Sequence, residues 1–327
     1  MQRSGRIFMG LTLLLILMIG APLHAQDDDG DDTRYDSNPT DCDVSLDYVE
    51  LATEAVDAGD MEQVIHDLSC NIKTDPSSYD AWYLRGFYFA VNDQHEAAIA
   101  DYTRAIEIDA TEPVGYSDRA FSLYMLGEYQ NAINDYTRAI ELDPDDPNAH
   151  YSRAGVYSEI EDHQAAIDDY TRVIELDPDN SSTYNNRGWQ YELIGEMTLS
   201  AADYYQHIIM TREYLEDTYL RYGFTQTLYM EPDNYYRVWF DAREGDIIDI
   251  TVNSEDGGID PMIVLVSDDD TPLYANDDRD LDNGDYNSAI FGYVIPETGT
   301  YQLYVNQWLE DANFGMLEVL IEAGVSY

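Results

Sequence analysis

Lysine is almost missing from this chain: Lys73 stands alone in 327 residues, and with the arginines it makes 16 basic side chains against 66 acidic ones. The formal charge of -50 excludes binding to nucleic acid or anionic lipid through a basic surface, and leaves cations as the natural counter-charge. Cysteine is scarce too, with only Cys42 and Cys70, whose spacing excludes a CxxC redox site. The most apolar stretch, Leu11 to Ile19, is too short for a membrane span. HExxH, GxSxG and Walker sequences are absent, and His95-Glu96 has no second histidine four residues on. Acidic pairs are too abundant for any two to be singled out as catalytic acid and base. The expectation is a protein that is not an enzyme.

What is present argues for a folded, exported chain. Hydrophobic residues make up 44% and aromatics 13%, including 29 Tyr, too many for disorder throughout. The length exceeds one ordinary core, so two domains or a repeat array are expected. Asp outnumbers Glu 44 to 22, which suits a saline or calcium-rich environment. Arg3 and Arg6 before the apolar run, then Leu23-His24-Ala25, read as a signal peptide over 1–25 cut after Ala25. No Cys lies beside that point, so no lipoprotein anchor is expected. Secretion to the periplasm or the exterior follows, with 26–44 an acidic disordered linker. In an oxidising compartment Cys42 and Cys70 would form a disulfide; two unpaired thiols are the alternative.

An internal period organises the next segment. DYTRAI begins at Asp101 and Asp135 and DYTRVI at Asp169, one copy every 34 residues, with weaker copies at Asp67 and Asp203. That spacing is expected of two antiparallel helices per unit, stacked as a solenoid. Ala98, Ile99, Tyr102, Ala105 and Ile106 share one helical face, and the pattern recurs in the next two units. Pro76, Pro144 and Pro178 are expected to end second helices, and Gly59, Gly127 and Gly195 to turn within units. Arg85, Arg119, Arg153 and Arg187 recur at one position and Arg104, Arg138 and Arg172 at another. With Asp101, Asp135 and Asp169 alongside, they read as a structural ladder of ion pairs before they read as a cluster for acidic ligands.

On these residues the segment resembles tetratricopeptide repeats, in five units over 45–214. Trp82, Gly86, Ala98, Tyr102 and Ala105 fall on the family's small and aromatic positions; Cys70, Ser200 and His207 depart from them in the end units. The resemblance implies a concave surface of first helices that holds a protein or peptide partner, here presenting Tyr83, Phe87, Phe121, Tyr151 and Trp189. Packing of these aromatics between repeats is the competing reading.

From about Leu215 short alternating runs replace the helical spacing, bounded by Gly, Pro, Asn and Asp. About eight strands over 215–327 predict an antiparallel β-sandwich, jelly-roll-like, so the whole chain is expected to be multidomain, α then β. Asp260-Pro261, Asn276-Asp277-Asp278 and the turn PETGTY are similar to the bacterial pre-peptidase C-terminal domain family. That resemblance implies a secreted, non-catalytic module for targeting, surface attachment or ligand binding. Its loop acids offer oxygen ligands suited to Ca²⁺, led by Asp260, Asn276, Asp277 and Asp278, although the spacing is not an EF-hand. A solvated acidic rim of turn residues is the other reading. Together these features predict an exported protein-binding scaffold, or alternatively a calcium-dependent carbohydrate-binding or adhesion protein that meets a surface glycan through the β-domain.

Overall fold

A computed structural model describes residues 42, 52, 60–211, 214–221, 225–230, 234–254, 260–277, 287–308 and 315–323. The expected signal peptide and, apart from Cys42, the acidic linker lie outside these residues, as do Gly59 and Asp278. The chain divides into two compact units, 1–156 and 157–327.

Nine helices appear among the described residues: α1 Met61–Thr74, α2 Tyr79–Val91, α3 His95–Ile108, α4 Pro113–Met125, α5 Tyr129–Leu142, α6 Pro147–Glu159, α7 His163–Leu176, α8 Ser181–Leu193 and α9 Met197–Thr211. α2, α4, α6 and α8 are the first helices of their units, and α1, α3, α5, α7 and α9 the second. Their boundaries follow local chemistry. The Ser78 hydroxyl accepts from Ala81 N–H at 3.2 Å and Asn180 Oδ1 accepts from Thr183 N–H at 3.2 Å, satisfying first-turn amides that have no helical partner. Pro113 and Pro147 open α4 and α6, where no amide donor is needed.

α1, α5 and α7 end two residues before the expected prolines, and after α1, α3 and α5 an Asp folds back on the turn. Asp75 and Asp143 accept from the amides of Ser77 and Asp145 at 3.1 and 3.3 Å, and Asp109 does the same for Thr111 at 3.0 Å. This turn suits the short Asp side chain and not Glu, so part of the Asp excess is structural. The turn within each unit needs a left-handed residue. Gly127 and Gly195 supply it at φ 75° and 82°, as expected, but Asp93 and Glu161 hold the same position at 59° and 60°.

In the first unit the apolar stripe of α3 (Ala98, Tyr102, Ala105) packs with Val64, Ile65 and Leu68 of α1 and Tyr83, Phe87, Tyr88 and Phe89 of α2. The sulfurs of Cys42 and Cys70 are bonded, tying residue 42 to α1.

The second unit carries nine described strands: β1 Tyr214–Tyr219, β2 Thr225–Met230, β3 Asn234–Ala242, β4 Ile247–Ser254, β5 Asp260–Val266, β6 Pro272–Asp277, β7 Asn287–Val294, β8 Gly299–Trp308 and β9 Gly315–Ala323. They form a five-stranded sheet, β1-β3-β8-β5-β6, and a four-stranded one, β2-β9-β4-β7. Val238, Phe240, Leu303 and Val305 of the first share one apolar core with Ile248, Ile250, Val252, Val319 and Ile321 of the second. Tyr236, Val238 and Phe240 alternate toward this core, because successive strand residues face opposite ways.

Residues 214–230 carry two strands, β1 and β2, which join different sheets. One expectation is corrected. The sheets are not all antiparallel, since β1 pairs with β3 in parallel register, Asp217 opposite Arg237 and Tyr219 opposite Trp239. The physical reason is the excursion: the chain leaves β1 for β2 in the other sheet and returns to lay β3 beside β1 in the same direction.

The outer face of the five-stranded sheet is covered by α9. Ala201, Tyr204 and Ile208 pack on Tyr235, Met262, Val264, Val266, Ala275 and Tyr304, so strand residues that face away from the shared core are also apolar and buried.

Candidate functional site

The arginine column forms a built ladder. Arg85 donates from Nε and Nη2 to both oxygens of Asp101 at 2.6 and 2.8 Å, and from Nη1 to Ser69 Oγ at 2.9 Å. Arg119 repeats this with Asp135 at 2.7 and 2.8 Å and Thr103 at 3.0 Å, and Arg187 with Asp203 at 2.7 Å twice and Thr171 at 3.0 Å. Arg153 donates to Thr137 at 2.9 Å. Each arginine thus ties a first helix to the second helix of its own unit, sixteen residues on, or of the unit before, sixteen residues back. The planar guanidinium fork suits this bidentate role, which a lysine could not fill. Burial pushes the Asp101 and Asp203 carboxyls upward, and the facing arginines oppose that shift.

The second column behaves differently from the expectation that placed it beside the recurring aspartates. Arg104, Arg138 and Arg172 pair with Glu107, Glu141 and Glu175, three residues on, at exposed positions. One helical turn brings those glutamates alongside, whereas the aspartates face inward. The ladder reading therefore holds for the first arginine column alone.

A buried acid interrupts the next column. Asp118 stands where neighbouring units carry Leu84, Ser152 and Asn186, and burial raises its carboxyl to about 7. Tyr83 donates its hydroxyl to Asp118 at 2.7 Å, while Tyr79, Tyr102 and Tyr136 also lie near enough to feel its charge. Burial pushes all four tyrosines upward, so they surround the carboxyl as neutral groups. Little in the sequence signals this site, since its column of Glu50, Leu84, Asp118, Ser152 and Asn186 keeps no residue type from which Asp118 departs.

The five aromatics expected to face a partner are placed unequally. Tyr83 and Phe87 are buried at 6% and 5% exposure, Phe87 edge-on to Tyr88. Phe121 is half-buried with its ring edge toward His95, and Tyr151 is half-buried. Trp189 is half-buried against the helix–sheet core. His95, buried with both ring nitrogens unbonded, is held neutral chiefly by that burial.

The residues proposed for calcium are gathered only in part. Met262 on β5 lies opposite Asp277 and Ile263 opposite Asn276, so Asp260, Asn276 and Asp277 fall at one end of the β5–β6 pair. Asn276 Oδ1 accepts from the Ala289 amide at 3.2 Å. Among the described residues no three or more His, Cys, Asp or Glu side chains cluster as a metal site, and no helix is long and apolar enough to cross a membrane.

Comparison with known proteins identifies the helical hairpins. Models described as tetratricopeptide repeats match 49–113, 122–161, 147–180 and 169–200, the third coinciding with the fourth unit delimited from the period. No curated protein matches the chain. Among solved structures, MamA from Desulfovibrio magneticus RS-1 is 14% identical over 50% of this chain and 93% of its own, with a TM-score of 0.49. YrrB, described as a TPR protein with an unusual peptide-binding site, is 17% identical over 51% of this chain and 86% of its own, with a TM-score of 0.46.

Proposed function

We propose that this chain, which carries tetratricopeptide repeats over its helical half, is an exported, non-enzymatic scaffold that holds a protein or peptide partner. The observation that carries the reading is the succession of matched repeats whose inner polar groups, the arginine ladder above all, are spent on holding helices together. Recognition then falls to the remaining side chains of the first helices, where Phe121 and Tyr151 keep part of their surface in solvent. The two sheets of 215–327 make up a β-sandwich resembling the pre-peptidase C-terminal domain, and this module attaches the scaffold to a surface or ligand. Panning a displayed peptide library on the full chain should return a consensus sequence, and the paired substitution Phe121→Ala with Tyr151→Ala should weaken that peptide at least roughly tenfold, about 1.4 kcal/mol. A library that converges on nothing would count against the scaffold.

A calcium-dependent, glycan-binding role for the β-domain is the second reading, favoured by the register that brings Asp260, Asn276 and Asp277 to one end of β5 and β6. It expects the full chain to melt higher in Ca²⁺ than in EDTA or Mg²⁺ at fixed ionic strength, and to retain glycan beads only with Ca²⁺. Equal melting in Ca²⁺ and Mg²⁺ would remove it.

A further inference from the structure

The ladder arginines differ in what flanks them. Arg85 has a ring three residues before it, Trp82 at 5.1 Å, and another four residues after it, Phe89 at 5.6 Å. Arg187 is flanked in the same way by Tyr184 at 6.0 Å and Tyr191 at 5.7 Å. Arg119 has Tyr116 at 5.8 Å, but Leu123 occupies the position where the second, fourth and fifth units carry Phe89, Tyr157 and Tyr191. Beside it lies a recess of about 290 Å³, floored by Ile99 and Leu123 and walled by Thr103, Arg119, Asn131 and Asp135. The Arg119 side chain is 19% exposed, against 15% for Arg187 and 8% for Arg85.

The chemistry of the recess selects its occupant. Three of the five N–H donors of Arg119 are committed, Nε and Nη2 to Asp135 and Nη1 to Thr103, and its charge is answered by the Asp135 carboxylate. An anion therefore has little to gain. What remains is the flat face of the guanidinium, which attracts an aromatic ring, above an apolar floor. At the rim Asn131 donates to the exposed carboxylate of Glu128 at 2.7 Å, and the chain as a whole is at -50. Charge complementarity favours a basic partner.

We propose that this recess is a docking site for an aromatic side chain carried by a basic peptide, which completes around Arg119 the pair of rings that Arg85 and Arg187 find within their own repeats. The site goes beyond the scaffold reading, and separate variants tell the two apart: the paired substitution Phe121→Ala with Tyr151→Ala tests the exposed aromatics of the first helices, and Leu123→Tyr tests the recess.

The test uses the full chain and two capped peptides, Lys-Lys-Trp-Lys-Lys and Lys-Lys-Leu-Lys-Lys, titrated calorimetrically at physiological salt. The tryptophan peptide should bind roughly tenfold more tightly. Leu123→Tyr, which fills the recess as the sister repeats do, should erase that preference. Equal affinities in the unsubstituted chain, absence of binding by either peptide, or a preference that survives Leu123→Tyr would each overturn the proposal. Should the variant fail to melt cooperatively, NMR of the unsubstituted chain decides: the tryptophan peptide should shift the Arg119 Nε–H and Asn131 side-chain amide signals while the leucine peptide does not. Shifts confined to other residues would also overturn it.

Discussion

At the scale of single residues, Asp118 is the group whose chemistry departs furthest from what its residue type implies. A carboxyl that titrates at 3.8 when exposed is raised to about 7 by burial, with one hydroxyl and no cation to hold the charge. Between about pH 4 and pH 7 the folded chain therefore keeps a proton that the unfolded chain has lost, and stability falls as pH rises through that window. The raised value corresponds to about 4 kcal/mol at most. Asp118→Asn should thus be more stable than the parent at pH 8, by a few kcal/mol in urea unfolding, and the difference should vanish near pH 4. A variant less stable than the parent at pH 8 would refute this account. Glu161 offers a second residue-scale outcome. It holds a left-handed conformation that its β-carbon disfavours and that Gly127 and Gly195 adopt freely. Glu161→Gly should raise stability by about 1 kcal/mol, and a lower melting temperature would refute it.

At the scale of elements, the unit of cohesion is the clamp between a first helix and the second helices on either side of it. The Arg85–Asp101 pair is nearly buried, at 8% and 5% side-chain exposure, so removing one partner strands a charge in the interior. Arg85→Leu should cost about 3 kcal/mol at neutral pH. Arg104→Leu, whose pair with Glu107 is half exposed, should cost well under 1 kcal/mol. Equal losses in the two variants would mean that the ladder does not carry the stability argued for it. The last helix is held differently. α9 lays Ala201, Tyr204 and Ile208 on the five-stranded sheet, in place of the further hairpin that a repeat would otherwise need to cover that face.

At the scale of the whole molecule, charge and covalent closure dominate. With 66 acids against 16 bases the excess negative charges repel one another in the compact state, and salt screens that repulsion. Raising NaCl from about 0.02 M to about 1 M, where the Debye length falls to about 3 Å, should raise the melting temperature; a melt indifferent to salt would refute the electrostatic account. The Cys42–Cys70 bond closes 28 residues, and in the chain-entropy picture its reduction should cost about 3.5 kcal/mol. Melting the protein with and without reductant measures this directly.

The sequence alone determined the helical half, because a 34-residue period repeats the same local and nearest-neighbour contacts: the stripe of Ala98, Tyr102 and Ala105, the turns at Gly127 and Gly195, and the role of Arg85, Arg119 and Arg187 all follow from spacing. It also separated helix from strand near Leu215, where the hydrophobic period changes. Tertiary structure decided what depends on distant pairing. The parallel placement of β1 beside β3 comes from an excursion between sheets that no local pattern encodes. The burial of Tyr83 and Phe87 depends on which face the neighbouring helices cover. Asp118 and Leu123 were both visible in the sequence, but each acquires meaning only when the surrounding side chains are in place: burial, working against the Tyr83 hydroxyl, makes the first a proton-holding acid, and the recess beside Arg119 gives the second its surface.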